Sequence, residues 1–529
     1  MVNQIKKNRV PILCMLILGV YCTWMLIINF SGNPIFYDAD MYSDMLYSVK
    51  AWEHKSIFPE GWVFGNQLYA VATPVLAALF YGLTGSMCNA MAIASTVMGA
   101  GVMLSFCWML KPVLQKRDER SIALTFFLTL VLAVGDIYHE DNGWQLLFTM
   151  CSYYACYAIS AFLAFGCWLR SDLPRSPGST AMLPLACLMA FGTGIQSLRQ
   201  TAIMICPLIG LELLRLLFLV IRKEKICFRS LLITGLLTAA NLAGVLYAKF
   251  AAVDHHEIFG TIDLLPPSLW PGELSPAVFT AGSLLVGENF LLTFLLPVFG
   301  LPGLYFLLRS MFRKKKQKAA LLLSLFFISV AVILVIDTCT TMFFRSIYYF
   351  LLYPMTAFLA AYLYSSSKKV LRTAILVLLL VIFGWTCTEA MPVIAEAEKE
   401  TVFEEVADYL LENNFTTVYS RWGLANKLAV ASDGELAAGF WYISEKPFVP
   451  VDYLCDPDIF YEAPSVCAYV FFGEEDEAFA IQKFSLLNVG YTLQQHFPAS
   501  DIYVYTSDKN IMNLFLTDEA TAEILSTAQ

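Results

Sequence analysis

Apolar runs of about twenty residues, broken by short polar connections, fill the chain from its start to roughly residue 391. Such a run is long enough to carry a helix across the hydrocarbon core of a bilayer. The pattern predicts eleven spans: Val10–Phe30, Met87–Leu110, Ser121–Ile137, Leu146–Leu169, Ala181–Ile195, Thr201–Ile221, Ser230–Val253, Asn289–Leu308, Ala319–Ile336, Ile347–Tyr364 and Thr373–Met391. Leu68–Leu83 is shorter, contains Pro74 and is bounded by Gly82 and Gly85, so it is expected to lie along the membrane surface as an interfacial helix. Beyond about Ala395 the pattern changes. Thr401–Asn413 has a helical period, while Thr416–Ser420, Leu436–Ile443, Ala468–Gly473, Tyr491–Phe497 and Asp501–Thr506 alternate as short strands do. Glu474–Asn488 reads as a helix between two of those strands. The expected fold is therefore an α-helical polytopic membrane protein of about 11 transmembrane helices. Juxtamembrane helices belong in its first outer loop, and a small C-terminal α/β domain follows, with the division at residues 1–394 and 395–529.

Charge fixes the expected orientation. Lys6, Lys7 and Arg9 precede the first run, and alternate connections are basic: Lys111 to Arg120, Arg170 and Arg175, Arg222 to Arg229, Arg309 to Lys318, and Lys368 to Arg372. By the positive-inside rule these face the cytoplasm, and so does the N-terminus. Counting Leu68–Leu83 as a span would invert every later loop. The tail then lies outside the cytoplasm, in keeping with an integral plasma-membrane protein. Composition agrees: 58% of the 529 residues are hydrophobic and 15% charged. The net charge of −9 hides a division, because residues 392–529 carry 23 acidic against 6 basic side chains, and the rest 20 against 28. No basic and aromatic stretch suits nucleic acid. Most of the 14 cysteines sit in apolar runs as small hydrophobes, while Cys455 and Cys467 are candidates for a disulfide in an extracytoplasmic tail.

Polar chemistry gathers in the outward connections. Asp38, Asp40 and Asp44 follow the first span within seven residues, beside Tyr42. If the chain is helical from Asp40, then Asp40 and Asp44 share a face and repel unless a cation, a donor or a proton lies between them. Two readings stand: a solvated helix start capped by Asp38 or Asp40, or an acid cluster with catalytic or metal-holding work. His139-Glu140-Asp141-Asn142 offers groups suited to a divalent cation or a general base, and equally suits a plain polar turn. Asp254-His255-His256-Glu257 follows another span, ahead of a proline-rich loop with Pro266, Pro267, Pro271, Pro276 and Trp270 that is expected to be a mobile binding loop. Arg199, next to Gln200, and Arg345, next to Tyr348 and Tyr349, lie at outer helix ends, where a guanidinium either snorkels or grips a phosphate. The cytoplasmic loops carry no glycine-rich phosphate cradle.

Together these residues resemble the GT-C glycosyltransferases. The likeness is nearest to the family 39-like branch of protein O-mannosyltransferases and the lipid A aminoarabinose transferase. Asp38-Ala39-Asp40-Met41-Tyr42 is similar to the acidic pair and tyrosine that open that family's first outer loop, although Ala39 separates the acids here. Gln67 to Pro74 resembles its proline-containing interfacial segment, without the lysine the family has there. Glu140 and Asp141 match an acidic position in the second outer loop, and Arg345, Tyr348, Tyr349 and Pro354 match a late arginine followed by tyrosine and proline.

The resemblance implies an enzyme that transfers a sugar from a polyprenyl-phosphate or dolichyl-phosphate donor to an extracytoplasmic acceptor, whether protein, glycan or lipid. Asp38 or Asp40 would be the general base, with Asp44 beside them. Tyr42, Gln67, Glu140, Asp141, Arg199, Gln200, His255, His256, Arg345, Tyr348 and Tyr349 would bind substrate. A divalent metal ion would find candidate ligands in Asp40, His139, Glu140 and Asp141, but arginine can serve the same end. Two rivals remain, a lipid-linked saccharide flippase and a non-catalytic cell-envelope scaffold. The flippase would need polar residues through the spans, where Glu212 and Arg215 are the main exceptions.

Overall fold

A computed structural model describes residues 9–31, 39–65, 67–133, 143–150, 152–171, 177–221, 223, 228–251, 263–286, 300–305, 309, 317–342, 346–396, 402–461 and 467–526. Seven of its helices are long and apolar enough to cross a membrane: Val10–Phe30, Met87–Leu110, Thr201–Ile221, Phe228–Phe250, Gln317–Cys339, Ser346–Ser366 and Lys369–Pro392. The chain is an integral membrane protein. Thr73–Thr84, Ala155–Trp168 and Ala181–Gln196 are shorter apolar helices, and the Arg117–Ala133 helix begins in the basic connection as the charge pattern requires. Most of the expected Asn289–Leu308 span lies outside the described residues.

The interfacial segment is a twelve-residue helix, Thr73–Thr84, with well-defined ends. Pro74 occupies its first turn, where a missing N–H costs nothing. Gly85 closes it at φ 65°, its amide donating 2.8 Å to the Tyr81 carbonyl. Ser86 then caps the Met87–Leu110 helix by accepting from the Asn89 amide.

Two expectations need correction. Leu146–Leu169 is not one helix: Gly143–Leu147 and Ala155–Trp168 are separated by a turn in which Met150 and Ser152 have φ of 53° and 44°. A buried turn must satisfy its backbone groups. Asn29 of the first helix accepts the Met150 amide at 2.8 Å, and the Tyr154 amide reaches the Leu146 carbonyl at 2.8 Å. The proline-rich segment is likewise no open loop, because Trp270–Val286 is a helix. Pro266, Pro267 and Pro271 fall before or within its start, where proline is tolerated, and the Trp270 indole donates 2.9 Å to the Leu265 carbonyl.

Helices Pro177–Gln196 and Phe228–Phe250 approach closely because each presents a glycine to the other's backbone. A Cβ on Gly244 would lie 2.1 Å from the Phe191 carbonyl oxygen, and one on Gly194 would lie 2.3 Å from that of Asn241. Backbone cannot swing aside as a side chain can. Gly244→Val should cost about 3 kcal/mol, the upper end for overpacking, seen as a lower melting temperature of the detergent-solubilised protein.

Residues 402–526 form a mixed sheet of order β2-β1-β3-β5-β4, with helices between the strands. Its strands are β1 (Thr417–Arg421), β2 (Ala437–Trp441), β3 (Ala468–Phe472), β4 (Tyr491–Phe497) and β5 (Ile502–Ser507). β1 runs parallel to β2 and β3, and β5 antiparallel to β3 and β4. The Val402–Glu412 helix packs Phe403, Val406 and Leu410 onto one face beside Val418 and Val470, and Phe448, Tyr469 and Phe484 fill the other. Cys455 and Cys467 are both buried free thiols, so the candidate disulfide is absent. Burial pushes the Cys467 thiol up to about 11, against the opposing hydrogen bond with Tyr469. It is therefore protonated at pH 8, and Cys467 should resist iodoacetamide there until the protein is denatured, as peptide mass mapping would read.

Candidate functional site

The site is built on the Ala39–Glu53 helix, which begins beyond the first span. Asp40 stands in its first turn, where a carboxylate meets the positive end of the helix dipole. Asp44 follows one turn later on the same face, as their spacing predicts. Asp40 is half-buried; Asp44 is fully buried and Tyr42 is 5% exposed. A carboxylate taken out of water needs donors around it. Tyr69, farther along the first outer loop and 3% exposed, feels both carboxylates, Asp44 the more strongly. Burial, then Asp44 and Asp40, push the Tyr69 phenol well above its usual range, so it stays protonated beside them. Tyr47 braces Tyr69 edge-on, their ring centroids 4.9 Å apart.

Arg199 approaches from another element, the connection between the Pro177–Gln196 and Thr201–Ile221 helices. One guanidinium N–H donates 3.1 Å to the Tyr154 hydroxyl, and the group lies over the Tyr348 ring, 4.5 Å from its centroid. Tyr154 stands at the N-cap of the Ala155–Trp168 helix, just after the break. Tyr154 and Tyr348 in turn pack together at 6.0 Å. Among the described residues no carboxylate comes within ion-pair distance of Arg199. Among the described residues its cationic charge is met by a phenol oxygen and a ring face.

Tyr453, from the turn after β2, joins the two halves. Burial raises its phenol first, and then the Asp40 and Asp44 carboxylates, whereas Arg199 lowers it. One phenol thus feels both the acid pair and the guanidinium. Gln67 accepts from the Tyr157 hydroxyl at 3.1 Å, and Gln196 accepts the Val71 amide at 2.8 Å, tying the first outer loop to the helices that carry Arg199. Gln200 is fully buried, its amide within 3.5 Å of the Tyr157 carbonyl and 3.3 Å of the Met204 sulfur.

Of the residues singled out from sequence, Asp40, Tyr42 and Asp44 share the Ala39–Glu53 helix, and Gln67, Arg199, Gln200 and Tyr348 gather around Tyr154 and Tyr157. Tyr349 does not face Arg199: its hydroxyl donates 2.8 Å to Asp337. Asp38, His139, Glu140, Asp141, His255, His256 and Arg345 lie outside the described residues. For a metal ion this leaves Asp40 alone of its four candidate ligands, and among the described residues no three His, Cys, Asp or Glu side chains converge. Sequence reasoning missed Tyr69, Tyr154, Tyr157 and Tyr453. The signal for the first was at hand, a tyrosine before the interfacial proline; the others are indistinguishable from core aromatics.

A many-helix membrane bundle carries a small α/β sheet beyond its last span. The fold is that of the GT-C membrane glycosyltransferases. The crystal structure of ArnT from Cupriavidus metallidurans in the apo state matches with a TM-score of 0.51 at 12% identity, over 94% of this chain and 97% of ArnT. ArnT from the same organism bound to undecaprenyl phosphate gives 0.49 at 11%, over 94% and 98%. The Archaeoglobus fulgidus oligosaccharyltransferase, in complex with Zn and sulfate, gives 0.47 at 10%, over 92% of this chain and 72% of that one. No family model and no curated protein sequence matches.

Proposed function

We propose that the protein transfers a sugar from a polyprenyl-phosphate donor to a hydroxyl acceptor on the extracytoplasmic side of the membrane. The observation that carries this reading is Arg199, a guanidinium held among tyrosines that has no carboxylate within ion-pair distance among the described residues. A cation so placed suits an anion that arrives with the substrate, and a phosphate on a lipid reaches this depth. Undecaprenyl phosphate, found on ArnT, belongs to that class of lipid.

In the reaction the acceptor oxygen attacks the anomeric carbon, and the bond from that carbon to the phosphate oxygen breaks. Asp40, the more open of the two carboxylates, takes the acceptor's proton. Asp44, buried against Tyr69, positions Asp40 and the helix that carries it. Charge develops on the departing polyprenyl phosphate, where Arg199 offsets it; help given to charge that grows in the transition state accelerates the step. Asp38, Glu140, Asp141, His255, His256 and Arg345 belong to the same outer surface in this scheme, with the tyrosines as the sugar's surroundings. The topology that goes with it has eleven spans, the N-terminus in the cytoplasm, and residues 395–529 as an extracytoplasmic domain.

The test is direct. The full-length protein in nanodiscs is given a panel of polyprenyl-phosphate hexoses and pentoses with membrane extract as acceptor, and release of polyprenyl phosphate is followed. Release that requires Asp40 is expected. Failure of the wild-type protein to consume any member of the panel, while it shifts lipid-linked sugar across vesicles, would replace this reading with the flippase.

A further inference from the structure

The region beyond the last span reaches back onto the helix that carries the acid pair. The Leu424–Ala431 helix lies against the Ala39–Glu53 helix. There Asn426, 1% exposed, donates 2.8 Å to the hydroxyl of Ser43, which is itself fully buried. The Ser43 hydroxyl in turn donates 3.3 Å to the Ala39 carbonyl, one turn back. Gly423, at φ 82°, comes so close to Ala39 that a Cβ on it would stand 2.8 Å from the Ala39 Cβ. Both grips fall on the first turn, which carries Asp40 and leads into Asp44. The far end of the same helix is held separately, by the pair between Lys50 and Asp456. The first turn of a helix has no intrahelical partners for its amides and opens most readily. What holds it from outside therefore sets where its side chains stand.

We propose that Asn426 is a positioning residue for the transfer reaction, fixing through Ser43 the turn on which Asp40 stands. This rests on the transferase reading above. Ser43 lies three residues after Asp40, a neighbour on the helix surface, and one before Asp44, so a shift at Ser43 moves both carboxylates. The contact is made for placement rather than adhesion. Burying an amide and a hydroxyl costs desolvation that their hydrogen bond roughly repays, and an apolar pair of the same shape would hold the two helices as well. What the polar pair adds is direction: it is satisfied at one separation and one register, whereas apolar attraction is non-directional. A general base has to meet the acceptor hydroxyl within hydrogen-bond reach, and about 1 Å of misplacement costs on the order of 10²-fold in rate. Asn426 neither meets the substrate nor takes a proton; it acts through Asp40.

The experiment uses the full-length protein in nanodiscs and reads kcat for sugar transfer, Kd for polyprenyl phosphate alone, and melting temperature. Asn426→Ala should lose about tenfold in kcat with Kd within about twofold. Replacing both partners, Ser43→Ala with Asn426→Leu, should bring the melting temperature back near the wild-type value yet leave kcat down by about fivefold or more. Lys50→Gln, which frees only the far end of the helix, should keep kcat within about twofold. In an Asp40→Asn background, Asn426→Ala should cost less than about twofold further, because no base is left to place. The proposal is overturned if Asn426→Ala transfers as fast as wild type or if Lys50→Gln costs as much. It is equally overturned if the apolar pair restores the rate along with the melting temperature, or if the tenfold loss persists in the Asp40→Asn background, as a purely structural contact would give. Should the double variant not fold, the Asp40→Asn comparison decides alone. A wild-type protein that binds polyprenyl phosphate yet transfers nothing fails differently, and sinks the transferase reading itself.

Discussion

An Asp40→Asn protein is expected to insert, fold and bind polyprenyl phosphate as before, and to lose about 10²–10⁴-fold in kcat, the usual range for removing a general base. Asparagine keeps the shape and the acceptor oxygen of Asp40 and removes only the ability to take a proton. The structural cost is bounded. Asp40 sits in the first turn of its helix, where losing a negative charge forfeits about 0.3–1 kcal/mol of interaction with the helix dipole. A hundredfold rate loss corresponds to roughly 2.7 kcal/mol at the barrier, so the dipole term cannot account for it. Asp44→Asn separates the two carboxylates. It keeps the shape of the side chain beside Tyr69 and does not meet the acceptor, so about a tenfold loss is expected. A loss at Asp44 larger than that at Asp40 would exchange their roles.

The membrane part was legible because hydropathy reports a one-dimensional quantity. Met87–Leu110 was read from sequence with the boundaries it has, and the basic connections fell where helices end or begin. The sheet was legible for the same reason, its five strands each lying within two residues of the alternating segments. What stayed hidden is tertiary. Nothing between Leu146 and Leu169 announces a break, because the amide it frees is satisfied by Asn29 from a different helix. The acid pair was visible as a local cluster and Arg199 as a charge at a helix end. Their relation was not, since it runs through Tyr453. Lys50 and Asp456, which bring that residue in, are 406 positions apart.

The second large effect is expected at Arg199. Changing it to Ala should lower kcat by about 10²–10³-fold, as removal of a preorganised group facing developing charge does, and weaken binding of polyprenyl phosphate as well. A hydrogen bond to a charged group is worth about 1.5–3 kcal/mol, so Kd should rise roughly 10- to 100-fold. Arg199→Lys is the informative partner. It restores the charge but not the planar fork that donates to Tyr154 while lying flat over Tyr348, so affinity should return before rate does. Stability should move little in either variant, because among the described residues no carboxylate pairs with this guanidinium and its removal breaks no ion pair there. That combination, a protein about as stable whose donor affinity and turnover have both fallen, distinguishes a phosphate-binding arginine from one that merely staples two helix ends. An Arg199→Ala protein that loses melting temperature but keeps its affinity for polyprenyl phosphate would assign the phosphate to another cation and leave Arg199 a structural part.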